Sequence, residues 1–178
     1  MQDQMERITD YKEYLAQPIC RLFLHKLVDS VSVYPEDFDT VYELIKDPQE
    51  KISWRAAWAC EKIFEKYPGF LEGKQEELIA FVMKNKHSGT RRILLSILLE
   101  LPIPEPLPVD FLDFCFSNML DLNQAIATQA LCVKMSYKLC LLEPELLPVL
   151  KLYLESAELE YYSPGVKSCI RNVLKRLN

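Results

Sequence analysis

Few side chains in this sequence have the types and spacing for chemistry. Histidine is the usual general base near neutrality, and the chain has two, His25 and His87. His25 lies within Leu22-Phe23-Leu24-His25-Lys26-Leu27 and His87 precedes Ser88-Gly89. Neither has a Ser, Cys or Asp at a recognisable catalytic spacing. The cysteines Cys20, Cys60, Cys115, Cys132, Cys140 and Cys169 form no C-x-x-C pair and stand in apolar runs. That pattern reads as small, buried, reduced side chains rather than disulfides or metal ligands, since a metal centre needs Cys and His clustered at ligand spacing. No catalytic residues, metal site or cofactor are therefore expected. One grouping stands apart: Trp54 and Trp58, one helical turn from each other, with Arg55 beside them. Exposed, such a pair can stack a base or anchor a peptide. Buried, it packs between helices.

The elements that must position these residues are helical. Apolar residues recur at steps of three and four through Ile52, Ala56, Ala59, Cys60, Ile63 and Tyr67, and again through Ile126, Ala130, Val133, Tyr137, Cys140 and Leu141. No segment sustains period-two alternation. Asp47-Pro48-Gln49-Glu50 has the form of an N-cap, a first-turn proline and a capping-box Glu, and Ser163-Pro164 repeats the cap and proline. The pattern predicts ten helices, at 4–16, 18–33, 36–46, 48–67, 70–85, 88–101, 109–120, 122–142, 144–158 and 164–177. Pro148 means that the ninth is kinked or starts late. Pro102 to Pro108 reads as a stiff extended connector between helix pairs.

Length and composition agree. A chain of 178 residues, 49% hydrophobic and 26% charged, fits one soluble globular domain, 1–178. Only 4 glycines against 11 prolines argue against tight-turn sheet folds and Gly-rich phosphate loops. The net charge of −5 disfavours general nucleic-acid coating but leaves local patches open. The polar start MQDQMERITD and the shortness of the apolar runs lead to the expectation of a cytoplasmic protein with no membrane partner.

Four segments can be superimposed: Trp54-Arg55-Ala56-Ala57-Trp58, Thr90-Arg91-Arg92-Ile93-Leu94, Ala127-Thr128-Gln129-Ala130-Leu131 and Val166-Lys167-Ser168-Cys169-Ile170. They align Ala57, Ile93, Ala130 and Cys169 at intervals of 36, 37 and 39 residues. One such unit cannot bury its own apolar face, so neighbours must stack. The stretch from Asp47-Pro48 through Ile52, Trp54-Arg55-Ala56-Ala57-Trp58-Ala59 and Ile63 resembles the second helix of a HEAT repeat. The resemblance implies an all-α, right-handed α-α superhelix of about five helix pairs, 4–33, 36–67, 70–101, 109–142 and 144–177. It also implies that the second helices line a concave surface. Thr128 and Lys167 stand where the family places Arg, so its Asp–Arg ladder is expected to be incomplete. The layout is also loosely similar to that of the alkylation-repair DNA glycosylases, although no matched catalytic Asp is present. The S-S-x-M-P-x-K signature of the adenylosuccinate lyase superfamily is absent, so that activity is not supported.

Charge separates by helix. The first helices of the last four pairs, residues 36–47, 70–86, 105–121 and 143–160, hold 17 acidic and 5 basic side chains. The second helices, residues 48–66, 87–101, 122–142 and 161–178, hold 4 acidic and 12 basic ones. The candidate partner-binding residues are Trp54, Arg55, Trp58, Arg91, Arg92, Lys134, Lys138, Lys167 and Arg171. Part of the basic sign at Lys175 and Arg176 reflects the end of a helix dipole. Two readings compete for these cations: an electropositive surface for acidic or phosphate-bearing partners, or contacts between repeats. The function expected is a non-catalytic scaffold binding a macromolecule, foremost a protein, with nucleic acid as the alternative.

Overall fold

A computed structural model describes residues 7–18 and 21–178, apart from the Arg21 side chain. Among them are ten α-helices and no strand. Cα packing divides the chain into two compact units, residues 1–74 and 75–178.

Unit 1 holds α1 (Tyr11–Ala16), α2 (Arg21–Val33), α3 (Phe38–Glu43) and α4 (Glu50–Lys66). α4 is the hub, packing on α1, α2 and α3. Its Ile52, Ala56, Ala59, Cys60 and Ile63 are all buried, because the three-and-four spacing puts them on one stripe. Alanines there let neighbouring helices approach closely.

Unit 2 holds α5 (Gln75–Lys84), α6 (Ser88–Glu100), α7 (Val109–Met119), α8 (Ile126–Cys140), α9 (Leu147–Glu155) and α10 (Pro164–Leu177). The pairs are α5 with α6, α7 with α8, and α9 with α10. The second helices also pack side by side, α6 on α8 and α8 on α10, which makes a second-helix layer within this unit. The connector 102–108 carries no helix and passes over the core, where Pro102, Ile103 and Pro104 meet Ile79, Leu98 and Phe111.

Several boundaries differ from the expected ones for local reasons. α1 begins at Tyr11 because Asp10 accepts the Glu13 N–H and caps it there; residues 4–6 lie outside the described residues. The segment 36–46 is a short α-helix between two 3₁₀ turns, Pro35–Asp37 and Leu44–Lys46. α4 starts at Glu50, later than expected, because Asp47 Oδ1 accepts the N–H of Gln49 at 2.9 Å and holds a turn instead of capping the helix. Asn85 does the same for the N–H of His87 at 2.8 Å and Asp121 for that of Asn123 at 2.9 Å. These three side chains mark the first-to-second helix corner of successive pairs. α9 starts late, with Pro148 in its first turn, where the missing N–H costs nothing.

The repeat register also needs correction. Ala57, Ile93, Ala130 and Cys169 all lie on second helices, but Ala57 and Ile93 are fully buried whereas Ala130 and Cys169 are only half-buried. The buried stripe of α8 runs through Thr128, Cys132, Met135 and Leu139 instead, and that of α10 through Val166, Ile170 and Val173.

Candidate functional site: the second-helix faces

Three of the candidate cations are engaged inside the protein. The last carbonyls of an α-helix have no intrahelical donor and must find one elsewhere. Arg55 on α4 donates through Nη1 to the main-chain oxygens of Leu15 at 2.6 Å and Gln17 at 2.5 Å, at the end of α1. Lys51, one turn earlier, donates to Ala16 O at 2.9 Å. Lys138 on α8 repeats the device on α6, with Nζ 2.7 Å from Leu99 O and 2.5 Å from Leu101 O. Its surroundings lower its pKa, chiefly by burial, with Glu100 acting the other way. Arg91 donates to Asn85 O at 2.6 Å and Gln124 Oε1 at 3.1 Å, with its guanidinium 5.2 Å from the Phe114 ring centre. Neutral side chains complete the pattern: Ser53 Oγ donates to Ile45 O at 2.6 Å and Gln129 Nε2 to Asp121 O at 2.7 Å.

The remaining cations face water. Lys134 and Arg171 are exposed, and Arg92 and Lys167 are half-buried. Lys175, discounted in the sequence for its place at a helix end, is exposed as well.

Trp54 and Trp58 stack with ring centres 5.9 Å apart and planes 18° from parallel, both half-buried. Trp58 also borders a groove of about 550 Å³ along α2 and α4, with Leu24 and Val28 beneath it and His25 at its rim. Two ion pairs edge this groove, Lys66 with Asp29 at 3.0 Å and Lys62 with Glu65 at 2.5 Å.

His87 serves its own helix, where its Nδ1 accepts the Thr90 N–H at 3.1 Å and caps α6. Cys60, Cys115, Cys132 and Cys140 are buried and form no disulfide, and Cys169 is half-buried; Cys20 lies outside the described residues. Burial pushes the Cys60 thiol up to about 12 and that of Cys140 to about 11. Among the described residues, no three His, Cys, Asp or Glu side chains are grouped to hold a metal, and no helix is long and apolar enough to cross a membrane.

Paired helices, second helices stacked on one another and carbonyl ends clamped from later repeats define a helical-repeat protein. The chain belongs to the HEAT repeat family: the family model described as a HEAT repeat domain matches residues 11–177. No curated protein and no solved structure matches it. HEAT repeats generally serve as protein-interaction scaffolds and are generally non-catalytic.

Proposed function

We propose that this protein is a non-catalytic binding scaffold that presents the exposed faces of its second helices to a protein partner, in the reducing cytoplasm. The observation that carries the reading is the groove between α2 and α4. It combines Trp58, itself stacked on Trp54, with an apolar floor and a charged rim, the composition of an interface hot spot. Free, buried thiols suit a reducing compartment. His87 Nδ1 lies 2.9 Å from the Thr90 hydroxyl, but Thr90 is fully buried and His87 caps α6, which supports the non-catalytic part.

The test is affinity capture from native lysate after nuclease treatment, with cross-links mapped to residues. A protein retained after nuclease and cross-linked to α2 or α4 is expected, with at least about tenfold weaker capture by Trp58→Ala. The second reading, nucleic acid held by the water-facing cations, is favoured by Arg92, Lys134, Lys167 and Arg171. A captured signal that vanishes with nuclease would establish it and remove the protein-scaffold reading.

A further inference from the structure

Large apolar side chains exposed singly are ordinary on a folded surface. On α9 they come as a row. Val149, Leu152 and Tyr153 are 53%, 71% and 40% exposed, and Leu152 is the most exposed large apolar side chain among the described residues. At about 3.6 residues per turn, the three fall within a third of the helix circumference. Leu150 and Leu154, on the other side, supply the buried contacts of this helix. The row continues onto α7, where the centre of the Phe116 ring lies 5.4 Å from that of Tyr153. It involves first helices only, so it is distinct from the second-helix faces. Contiguous apolar surface with a polar rim marks a site of association.

Charge beside the row has one sign. Glu145 precedes Val149 by one turn and Glu155 follows Leu152 by one turn, and both are exposed. Asp113, also exposed, stands one turn before Phe116 on α7. Glu158 and Glu160, exposed in the segment after α9, add to the same field. The one cation of residues 143–163 is Lys151. Its Nζ donates to Asn178 Oδ1 at the end of α10, at 2.5 Å, and stands 4.0 Å from Glu155. Lys151 thus serves the seam between α9 and α10 and leaves the rim of the row acidic.

We propose that the outer face of α9, with Phe116 of α7 at its edge, docks a basic amphipathic helix of another protein. The apolar ridge of that helix would cover Val149, Leu152 and Tyr153, and its flanking Lys or Arg side chains would meet Glu145, Glu155 and Asp113. The site goes beyond the second-helix faces and adds a second docking surface. A helix suits it because ridges and grooves of side chains interdigitate between helices. An added strand has no sheet edge to join among the described residues. The row exposes on the order of 300 Å² of apolar surface. A stable dimer buries roughly 800 Å² per partner, so the row suits one short helix better. A second copy also matches poorly in chemistry. Its α10 carries Lys167, Arg171, Lys175 and Arg176 without a carboxylate, but keeps Val166, Ile170 and Val173 buried. Its α2 exposes Leu22 and Val33, but these stand about three turns apart.

The test is titration of the full chain with a labelled peptide of about 18 residues, long enough to hold a helix when bound. It has Leu at every third or fourth position, with Lys and Ala between. Binding is expected, weakening severalfold from low to moderate salt. A peptide of the same composition with its Leu residues scattered should bind at least about tenfold more weakly. So should the wild-type peptide to the double variant Val149→Ser with Leu152→Ser. Glu145→Lys with Glu155→Lys should remove the salt dependence. Should the paired Ser substitution impair folding, Leu152→Gln alone gives the same reading at smaller amplitude. Equal affinity for folded wild type and the Ser variant overturns the proposal, as does a flat titration or equal binding of the scattered peptide. Self-association in sedimentation that Leu152→Gln abolishes also overturns it, by giving the row to a second copy. Binding to phosphatidylcholine vesicles that the same variant abolishes overturns it in favour of a lipid surface. The scaffold reading is decided separately, by capture and cross-linking at α2 and α4.

Discussion

The Arg55 guanidinium donates to the main-chain oxygen of Leu15, 40 residues earlier in the chain, and Lys138 reaches Leu98 across the same interval of 40. A cation on a second helix thus closes the carbonyl end of a helix from the preceding repeat. Hydrogen bonds to charged groups contribute about 1.5–3 kcal/mol each when their loss strands a partner. Arg55→Ala should therefore destabilise unit 1 by roughly that amount, and Arg55→Lys should recover part of it. Chemical denaturation of the three proteins measures this; equal midpoints would mean that water serves the α1 carbonyls as well as Arg55 does.

Arg91 and Arg92 are neighbours in sequence and opposites in structure. Arg91 is tied to Asn85 and Gln124 beside the Phe114 ring, whereas Arg92 faces water without a partner. Arg91→Glu should lower the melting temperature by several degrees, because a half-buried network loses its cation and gains an anion. Arg92→Glu should move stability by less than about 0.5 kcal/mol. Thermal melts of the two single variants decide it, and matching melts would contradict the assignment.

Acid should loosen unit 1. Hydrogen bonds from Arg7, and then from Tyr11, hold the Asp37 carboxyl below its ordinary 3.8. The Lys12 ammonium and the Gln49 N–H do the same for Asp47. A carboxylate lowered on folding contributes stability that is fully present above its unfolded value and is lost as pH falls through its folded one. Melting temperature should hold down to about pH 5 and then fall, with a shallower fall in Asp37→Asn. A profile unchanged by that substitution would remove Asp37 from the explanation.

The buried thiols should be slow to react. Cys60, Cys115 and Cys140 are raised by burial, so little thiolate forms at neutral pH and reagents cannot reach it. Alkylation monitored by mass should modify Cys60, Cys115, Cys132 and Cys140 only at the rate of unfolding. Rapid labelling of any of them in native protein would show an opening that a packed core does not allow.

The all-α repeat fold was legible because helical spacing and proline placement are local signals, and α10 follows its expected span to the residue. The register between repeats was harder to read. Ala130 and Cys169 resemble Ala57 in size, yet the burial stripe passes beside them. A firmer marker was present in the turns: Asp47, Asn85 and Asp121, each accepting the N–H two residues on. Short polar side chains at such intervals look unremarkable until their acceptor role is seen. At the candidate site only the chemical type of each side chain was legible. Sequence gives the sign of a charge but not its partner, so Arg55, Arg91 and Lys138 looked the same as Lys134 and Arg171. Only the location of orphan helix carbonyls separates the two groups.

The stacked indoles of α4 have an optical consequence. The chain has 2 tryptophans, Trp54 and Trp58, and both sit in the first of its two compact units. Indole emission therefore reports the melting of residues 1–74 and is blind to the remainder, whereas ellipticity sums the helices of both. Superimposable curves from the two signals would mean that the repeats unfold as one cooperative body. Separated curves would resolve the order in which its halves come apart.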